Sequence, residues 1–126
     1  MDQYTDKVIQ TFKEMKNAGK IEDADGIGKV GNPVCGDVMW IFIKVDDKEV
    51  ITDCKFQTFG CVAAIATSSL ATQLIIGKTV DEALKITNKT IIDLFGGLPK
   101  EKHHCSVLAE EGIKKAIEDY RSKKKI

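Results

Sequence analysis

The run from Cys61 to Ile76 constrains the fold more than any other stretch. It consists almost entirely of small and apolar residues and ends at Gly77. Sixteen residues are too many for a typical strand, and a surface helix would need a polar face that this run lacks. The pattern therefore predicts a buried helix that ends at Gly77, with Cys61 at its N-terminus.

Two amphipathic helices are predicted at the ends of the chain. From Tyr4 to Lys16, apolar residues recur at helical spacing, and Asn17 begins a stop signal. A final helix follows Cys105, with Ser106 as a plausible N-cap. Its predicted inner stripe contains Ala109, Ile113, Ala116, Ile117 and Tyr120. Two short helices are expected between, one starting at the capping-box sequence of Thr79 and Glu82 and running to about Ile86, and one over 88–95.

The middle of the chain has the character of strands. Residues 38–45 are rich in β-formers, an acidic turn follows at 46–49, and residues 50–59 form one or two further strands. Period-two spacing places Val50, Thr52, Cys54 and Phe56 on one face, so Cys54 is predicted to be a buried core residue. The sequence thus predicts an α+β fold, with a small antiparallel three-stranded sheet and helices packed on one face.

Residues 19–34 contain four glycines and a proline, and are predicted to be a loop. Within them, Gly26, Gly28 and Gly31 match the spacing of a dinucleotide-binding motif. That motif needs a strand before it and a helix after it. An acidic stretch precedes these glycines and Pro33 follows, so a flexible loop is the better interpretation.

Composition narrows the classes of function. With 126 residues, 43% of them hydrophobic, the chain is expected to be a single domain over 1–126. Nineteen basic and nineteen acidic residues balance, which argues against general nucleic-acid binding. No signal peptide and no membrane-spanning run is present, so the chain is predicted to be cytoplasmic, where its four cysteines stay reduced.

Three cysteines fall at predicted element boundaries. Cys35 and Asp37 lie two residues apart, Cys61 begins a helix, and His104 stands beside Cys105. Such a set fits tetrahedral zinc, an iron–sulfur cluster or a nucleophilic cysteine that carries sulfur or an acyl group. The chain has no pair of cysteines separated by two residues, which argues against a zinc ribbon, and spacing alone leaves the three chemistries open.

Three separated motifs together resemble one family. They are Gly31-Asn32-Pro33-Val34-Cys35-Gly36-Asp37, then Phe59-Gly60-Cys61 leading into the small-residue run, and His104-Cys105-Ser106 leading into a helix. In this order they resemble the IscU/NifU N-terminal family of iron–sulfur cluster assembly scaffolds, of the IscU type. The resemblance implies an IscU/SufE-like fold and a scaffold, not a turnover enzyme, on which a [2Fe–2S] cluster is built and then transferred.

The resemblance also implies site residues. Cys35, Cys61 and Cys105 would bind the cluster, with Asp37 or His104 as the fourth ligand, and iron or zinc would occupy the same site. Cys105 matches the family's persulfide acceptor, and Tyr4 matches a tyrosine near the site. The alternative is a structural or regulatory zinc-binding module.

Partners follow from the same resemblance. A pyridoxal-phosphate cysteine desulfurase would supply sulfur, and apo iron–sulfur proteins would accept the cluster, while a homodimer is left open. The family's chaperone-binding segment usually reads Leu-Pro-Pro-Val-Lys, whereas this chain has Leu98-Pro99-Lys100-Glu101-Lys102. The lost proline and valine argue against binding by a dedicated Hsp70 and its J-protein.

Overall fold

The structure, a computed structural model, describes residues 4–32, 37–58 and 60–124, with only the backbone of residues 32, 37, 101 and 124. One helix precedes the sheet and the other helices follow it. The elements in chain order are α1 (Asp6–Glu14), β1 (Gly26–Asn32), β2 (Asp37–Val45), β3 (Ile51–Thr58), α2 (Val62–Ile75), α3 (Val80–Ala83), α4 (Asn88–Leu94), a 3₁₀ turn (Lys100–Lys102) and α5 (His103–Lys124).

The three strands form one antiparallel sheet in the order β1-β2-β3. The turn after β2 is held by Asp46, whose Oδ1 accepts hydrogen bonds from the backbone N–H groups of Lys48 and Val50. Inward-facing side chains of the strands share one apolar core with the helices. On the opposite face, Lys29 lies over the Trp40 ring at 5.3 Å. The predicted α+β fold, with its three-stranded antiparallel sheet, is therefore confirmed.

Helix α2 is the buried helix that the sequence predicts. Ten of its residues are buried, and the chain turns at Gly77 with a positive φ of 90°. Buried hydroxyls could be costly here, but each has an acceptor. Ser68 donates to Ala64 O at 2.7 Å and Ser69 donates to Lys16 O at 2.9 Å. Among the described residues, no buried side-chain nitrogen or oxygen lacks a hydrogen-bond partner.

Helix α1 is shorter than the predicted span from Tyr4 to Lys16. Its N-cap is Thr5, whose hydroxyl accepts from the N–H of Val8 at 3.3 Å and donates to Phe95 O at 2.6 Å. It ends where Met15 adopts left-handed backbone angles, and that side chain is 43% exposed. Val8 is fully buried, so α1 is docked on the core. The short helices α3 and α4 begin where they were predicted, and α3 has the expected capping box, but it ends at Ala83 and not near Ile86.

The loop predicted over residues 19–34 is wrong for β1. Its glycines serve close packing, because Gly26 and Gly28 lie directly on the backbone of α5. A Cβ on Gly28 would stand 2.6 Å from Ala116 N and would also collide with Gly112 O. A flexible loop would leave these glycines free. Here they let a strand approach a helix more closely than any side chain allows.

Strand β3 departs from strict alternation. Lys44 pairs with Asp53 and Val45 pairs with Ile51, so Thr52 is the extra residue of a bulge. Thr52 is therefore exposed, and its predicted place on the core face is wrong. Cys54 is fully buried as predicted. Burial raises the pKa of its thiol far above the ordinary value, and the charge of Asp53 adds to that effect.

The outer edge of β3 is paired with chain segments that are not strands. Near its end, Phe56 N donates to Asn17 O at 3.0 Å, and Gly19 N donates to Phe56 O at 2.8 Å. At its start, Ile51 N donates to Lys78 O and Gly77 N donates to Ile51 O, both at 2.8 Å. The loops after α1 and α2 thus cover both ends of this edge.

No helix of the described residues combines the length and the apolar character that crossing a membrane requires.

Gly28→Ala tests the contact between β1 and α5. We expect a loss of about 2–3 kcal/mol in the free energy of unfolding, because the new methyl group overlaps helix backbone that cannot rotate away. Ile27→Ala on the opposite face of the same strand, where the side chain is 38% exposed, should cost at most about 1 kcal/mol. Urea unfolding followed by circular dichroism measures both, and equal losses would show that close packing is not the reason for glycine.

Candidate functional site

Two cysteine sulfurs meet where two helices begin. Cys61 is the N-cap residue of α2, and Cys105 lies in the first turn of α5. Their Sγ atoms are 3.9 Å apart. Helix N-termini carry partial positive charge, and the N-termini of both helices meet at this point. The predicted position of Cys61 at the start of a helix is confirmed.

The start of α5 differs from the prediction. Cys105 and Ser106 lie inside the helix, because α5 begins at His103 directly after the 3₁₀ turn. Ser106 is therefore not an N-cap, and its hydroxyl donates instead to His103 O at 2.6 Å. The polar connector predicted before Cys105 is a tight turn, in which Lys102 N donates to Pro99 O at 2.8 Å.

Polar groups surround the sulfur pair. His104 Nε2 lies 3.5 Å from Cys105 Sγ. The pKa of Lys102 is raised above its ordinary value, mainly by negative charge on Cys61, with smaller contributions from Tyr4, a hydrogen bond to Cys61 and charge on Cys105. Tyr4 packs with Cys61 on the small buried cluster that contains Cys105, so it lies near the site as the resemblance implies.

The sulfur spacing suits a shared metal. Two thiolates on a tetrahedral zinc, each at about 2.3 Å, stand about 3.8 Å apart. Over the described residues, however, no three His, Cys, Asp or Glu side chains are arranged to hold a metal ion. Cys35 and the side chain of Asp37 lie outside the described residues. The ligand set of Cys35, Asp37, Cys61 and Cys105, with His104 as an alternate, therefore stays a prediction.

The register of β1 on α5 shows which end of the sheet faces the sulfurs. Gly26 faces the backbone of Ala116, and Gly28 faces that of Gly112. Two strand residues advance about 6.6 Å, and four helical residues advance about 6 Å. At that rate Asn32, the last residue of β1 and the pairing partner of the first residue of β2, comes level with the first turns of α5.

The two sulfurs differ in access. Cys105 is 0% exposed, whereas Cys61 is partly exposed. The Cys105 carbonyl also accepts a 3.4 Å hydrogen bond from the buried hydroxyl of Thr67 on α2. A sulfur donor would therefore reach Cys105 only after neighbouring side chains move, so its role as persulfide acceptor stays a prediction.

Lys102 is the site residue that reasoning from motifs missed. The motifs place it only in a chaperone-binding segment, yet charge on Cys61 and Cys105 raises the pKa of its ammonium group, which therefore lies near both sulfurs. Its position two residues before His104 was the available signal. The direction of the Lys102 side chain depends on the turn that precedes α5, and the motifs do not show that turn.

The chain belongs to the NifU-like N terminal domain family, which matches residues 3–126. It is 61% identical over 117 residues to the iron–sulfur cluster assembly scaffold protein IscU 1 of Archaeoglobus fulgidus, covering 93% of this chain and 76% of that protein. It is 49% identical to the iron–sulfur cluster assembly scaffold protein IscU of Azotobacter vinelandii, with 96% of both chains covered.

Solved structures agree with the fold. The chain superposes on FiSufU from Fervidobacterium islandicum with a TM-score of 0.76 at 24% identity, covering 92% of this chain and 97% of that one. It superposes on the N-terminal part of a nitrogen-fixing NifU-like protein from Brucella abortus with a TM-score of 0.75 at 20% identity, covering 97% and 96%.

The cysteines should differ in their rates of alkylation. In the native chain, iodoacetamide should modify Cys61 before Cys105 and Cys54, because only Cys61 of these three is partly exposed. Mass spectrometry of peptides taken over a time course gives each rate, and all three should react quickly in denaturant. Native modification of Cys105 as fast as that of Cys61 would contradict the buried placement of Cys105.

Proposed function

We propose that this protein is a scaffold on which a [2Fe–2S] cluster is assembled and from which it is transferred to apo-proteins. The observation that carries the proposal is the pair of sulfurs 3.9 Å apart with an imidazole beside them, in a member of a family whose relatives are named as iron–sulfur cluster assembly scaffolds. Those names do not favour the alternative of a zinc-binding module. The proposed role is that of a carrier and not of a turnover enzyme.

Cys35, Cys61 and Cys105 are the proposed sulfur ligands, with Asp37 or His104 completing the set. The β1–β2 register supports this choice, because the strand ends that flank residues 33–36 lie level with the start of α5. Thiolates bind iron firmly, whereas a carboxylate is a weaker ligand for it. With one weak ligand in the set, a cluster could be assembled at this site and still be released to an acceptor protein. Zinc fits the same donor atoms.

Sulfur is proposed to come from a pyridoxal-phosphate cysteine desulfurase, as a persulfide accepted at Cys105. Lys102 supports this step, because charge on Cys61 and, to a smaller extent, on Cys105 raises the pKa of its ammonium group, which therefore places a positive charge near both sulfurs. The proposed recipients are apo iron–sulfur proteins, and the proposed compartment is the cytoplasm. The departures at Lys100 and Glu101 argue against a dedicated Hsp70 partner, and a homodimer is left open.

Anaerobic reconstitution tests the proposal. The chain is incubated with ferrous iron, cysteine and a cysteine desulfurase, and visible absorption is recorded before and after an apo-ferredoxin is added. The scaffold predicts charge-transfer bands that move to the ferredoxin. A colourless chain that retains zinc would support the zinc module, and a gain of sulfur mass without colour would indicate a sulfurtransferase.

Two cysteine variants provide matched controls, because Cys105 and Cys54 are both 0% exposed. Cys105→Ser should abolish the visible bands, whereas Cys54→Ala should keep them, because Cys54 lies in the main core and not in the cluster at the site. Thermal unfolding of both variants controls for loss of fold. Loss of colour only in Cys54→Ala would overturn the assignment of the ligands.

Asp37→Ala tests the weak ligand. We expect slower transfer of the cluster to apo-ferredoxin. The carboxylate is the weak ligand proposed to let the cluster leave, and without it only the firmly binding thiolates remain. Stopped-flow or circular dichroism measurements of transfer give the rate. Transfer as fast as in the unmodified chain would remove Asp37 from the proposed mechanism.

A further inference from the structure

The turn before α5 contains a side-chain contact that the proposed function does not use. His103 Nε2 lies 3.0 Å from Leu98 O. A carbonyl oxygen can only accept, so Nε2 must carry the proton and donate it. This bond links the first residue of α5 to the residue that precedes Pro99. It closes the whole 98–103 segment into a ring.

Two other hydrogen bonds support that ring, one inside it and one at its helix end. Inside it, Lys102 N donates to Pro99 O at 2.8 Å. On the helix side, the Ser106 hydroxyl donates to His103 O at 2.6 Å, which fixes the backbone from which the imidazole projects. The imidazole is only partly exposed. His103 is therefore fixed on α5, and its hydrogen bond to Leu98 holds the preceding turn against the start of that helix.

The segment inside the ring contains Lys102, which lies near the sulfurs. Lys102 is the last residue of the 3₁₀ turn and lies three residues before Cys105, whose Sγ is 3.9 Å from Cys61 Sγ. Charge on Cys61 is the largest cause of the raised pKa of Lys102, so its ammonium group lies near that sulfur. Short 3₁₀ turns have few and poorly aligned backbone bonds, so they open easily without further support. If this turn opened, the long side chain of Lys102 would move away from Cys61.

We propose that His103 is a positioning residue, whose hydrogen bond to Leu98 keeps the 98–102 turn closed and so holds Lys102 against Cys61. The inference rests on the proposed function only for its consequence, which is faster loading of the site. The placement of Lys102 itself can be measured without iron or sulfur.

Proximity of Lys102 to Cys61 is measured with succinimidyl iodoacetate, a reagent that joins an amine to a thiol through a two-carbon bridge. Peptide mass spectrometry gives the ratio of Lys102–Cys61 cross-link to singly modified Cys61. His103→Leu should lower this ratio roughly two- to tenfold, the population change expected when one ordinary hydrogen bond is lost. His103→Gln should restore it, because the amide nitrogen of glutamine can occupy the place of Nε2.

A second rescue stiffens the turn by a different route. Pro99 has ψ 138°, which suits a residue before proline, and Lys100 is the first residue of the 3₁₀ turn. Lys100→Pro in the His103→Leu chain should therefore recover most of the cross-link, while Lys100→Pro alone should leave it unchanged. Should His103→Leu fail to fold, His103→Asn takes its place, because its amide is too short to reach Leu98 O.

The effect on function is tested by a double-mutant cycle. His103→Leu should slow desulfurase-dependent cluster assembly by the same factor that it lowers the cross-link ratio. In a Lys102→Met chain it should have no further effect, because His103 acts through Lys102. Additive losses, or an unchanged cross-link in His103→Leu, would overturn the inference. Failure of the unmodified chain to assemble a cluster would instead contradict the proposed function, and the cross-link would still decide the role of His103.

Discussion

The rest of the structure depends on the direct contact between the backbone of β1 and that of α5. Gly26 and Gly28 bring the strand onto the helix, and a Cβ on Gly112 would stand 2.8 Å from Ile41 Cγ1 on the neighbouring strand. These glycines have no side chains, so the helix packs closer to the sheet than it otherwise could and fits the strands in one register. That register fixes how far α5 extends past the strand ends, and hence where Cys105 lies.

Much of the fold could be predicted from local chemistry. The run from Cys61 predicted α2 because its apolar character is continuous, and the Thr79 capping box predicted α3 because that signal is complete within four residues. β1 was missed because its glycines indicate a loop, and only the facing helix shows why a strand needs them. Thr52 was misplaced because a bulge in the pairing with β2 breaks the alternation, and strand sequence alone does not show such a bulge.

The site could be predicted only in part. Sequence identified Cys61 at a helix start, but it placed Cys105 one step outside α5, since the 3₁₀ turn leads into the helix without a cap residue between them. Its nearness to Cys61 is a tertiary property, which came from the resemblance and not from spacing. Lys102 was missed for the same reason, because its direction depends on a turn. Cys35 and the side chain of Asp37 lie outside the described residues, so their membership of the site stays a prediction, as does the single domain over 1–126.

The covered edge of β3 has a consequence for behaviour at high concentration. A free strand edge offers unpaired backbone groups to other chains and so promotes aggregation. In this chain the segment around Asn17 and the segment at 77–78 occupy backbone positions at the two ends of that edge. Intermolecular sheet growth from β3 would first require these loops to detach. Solubility is thereby coupled to the docking of α1, whose C-terminal loop provides one of the two covers.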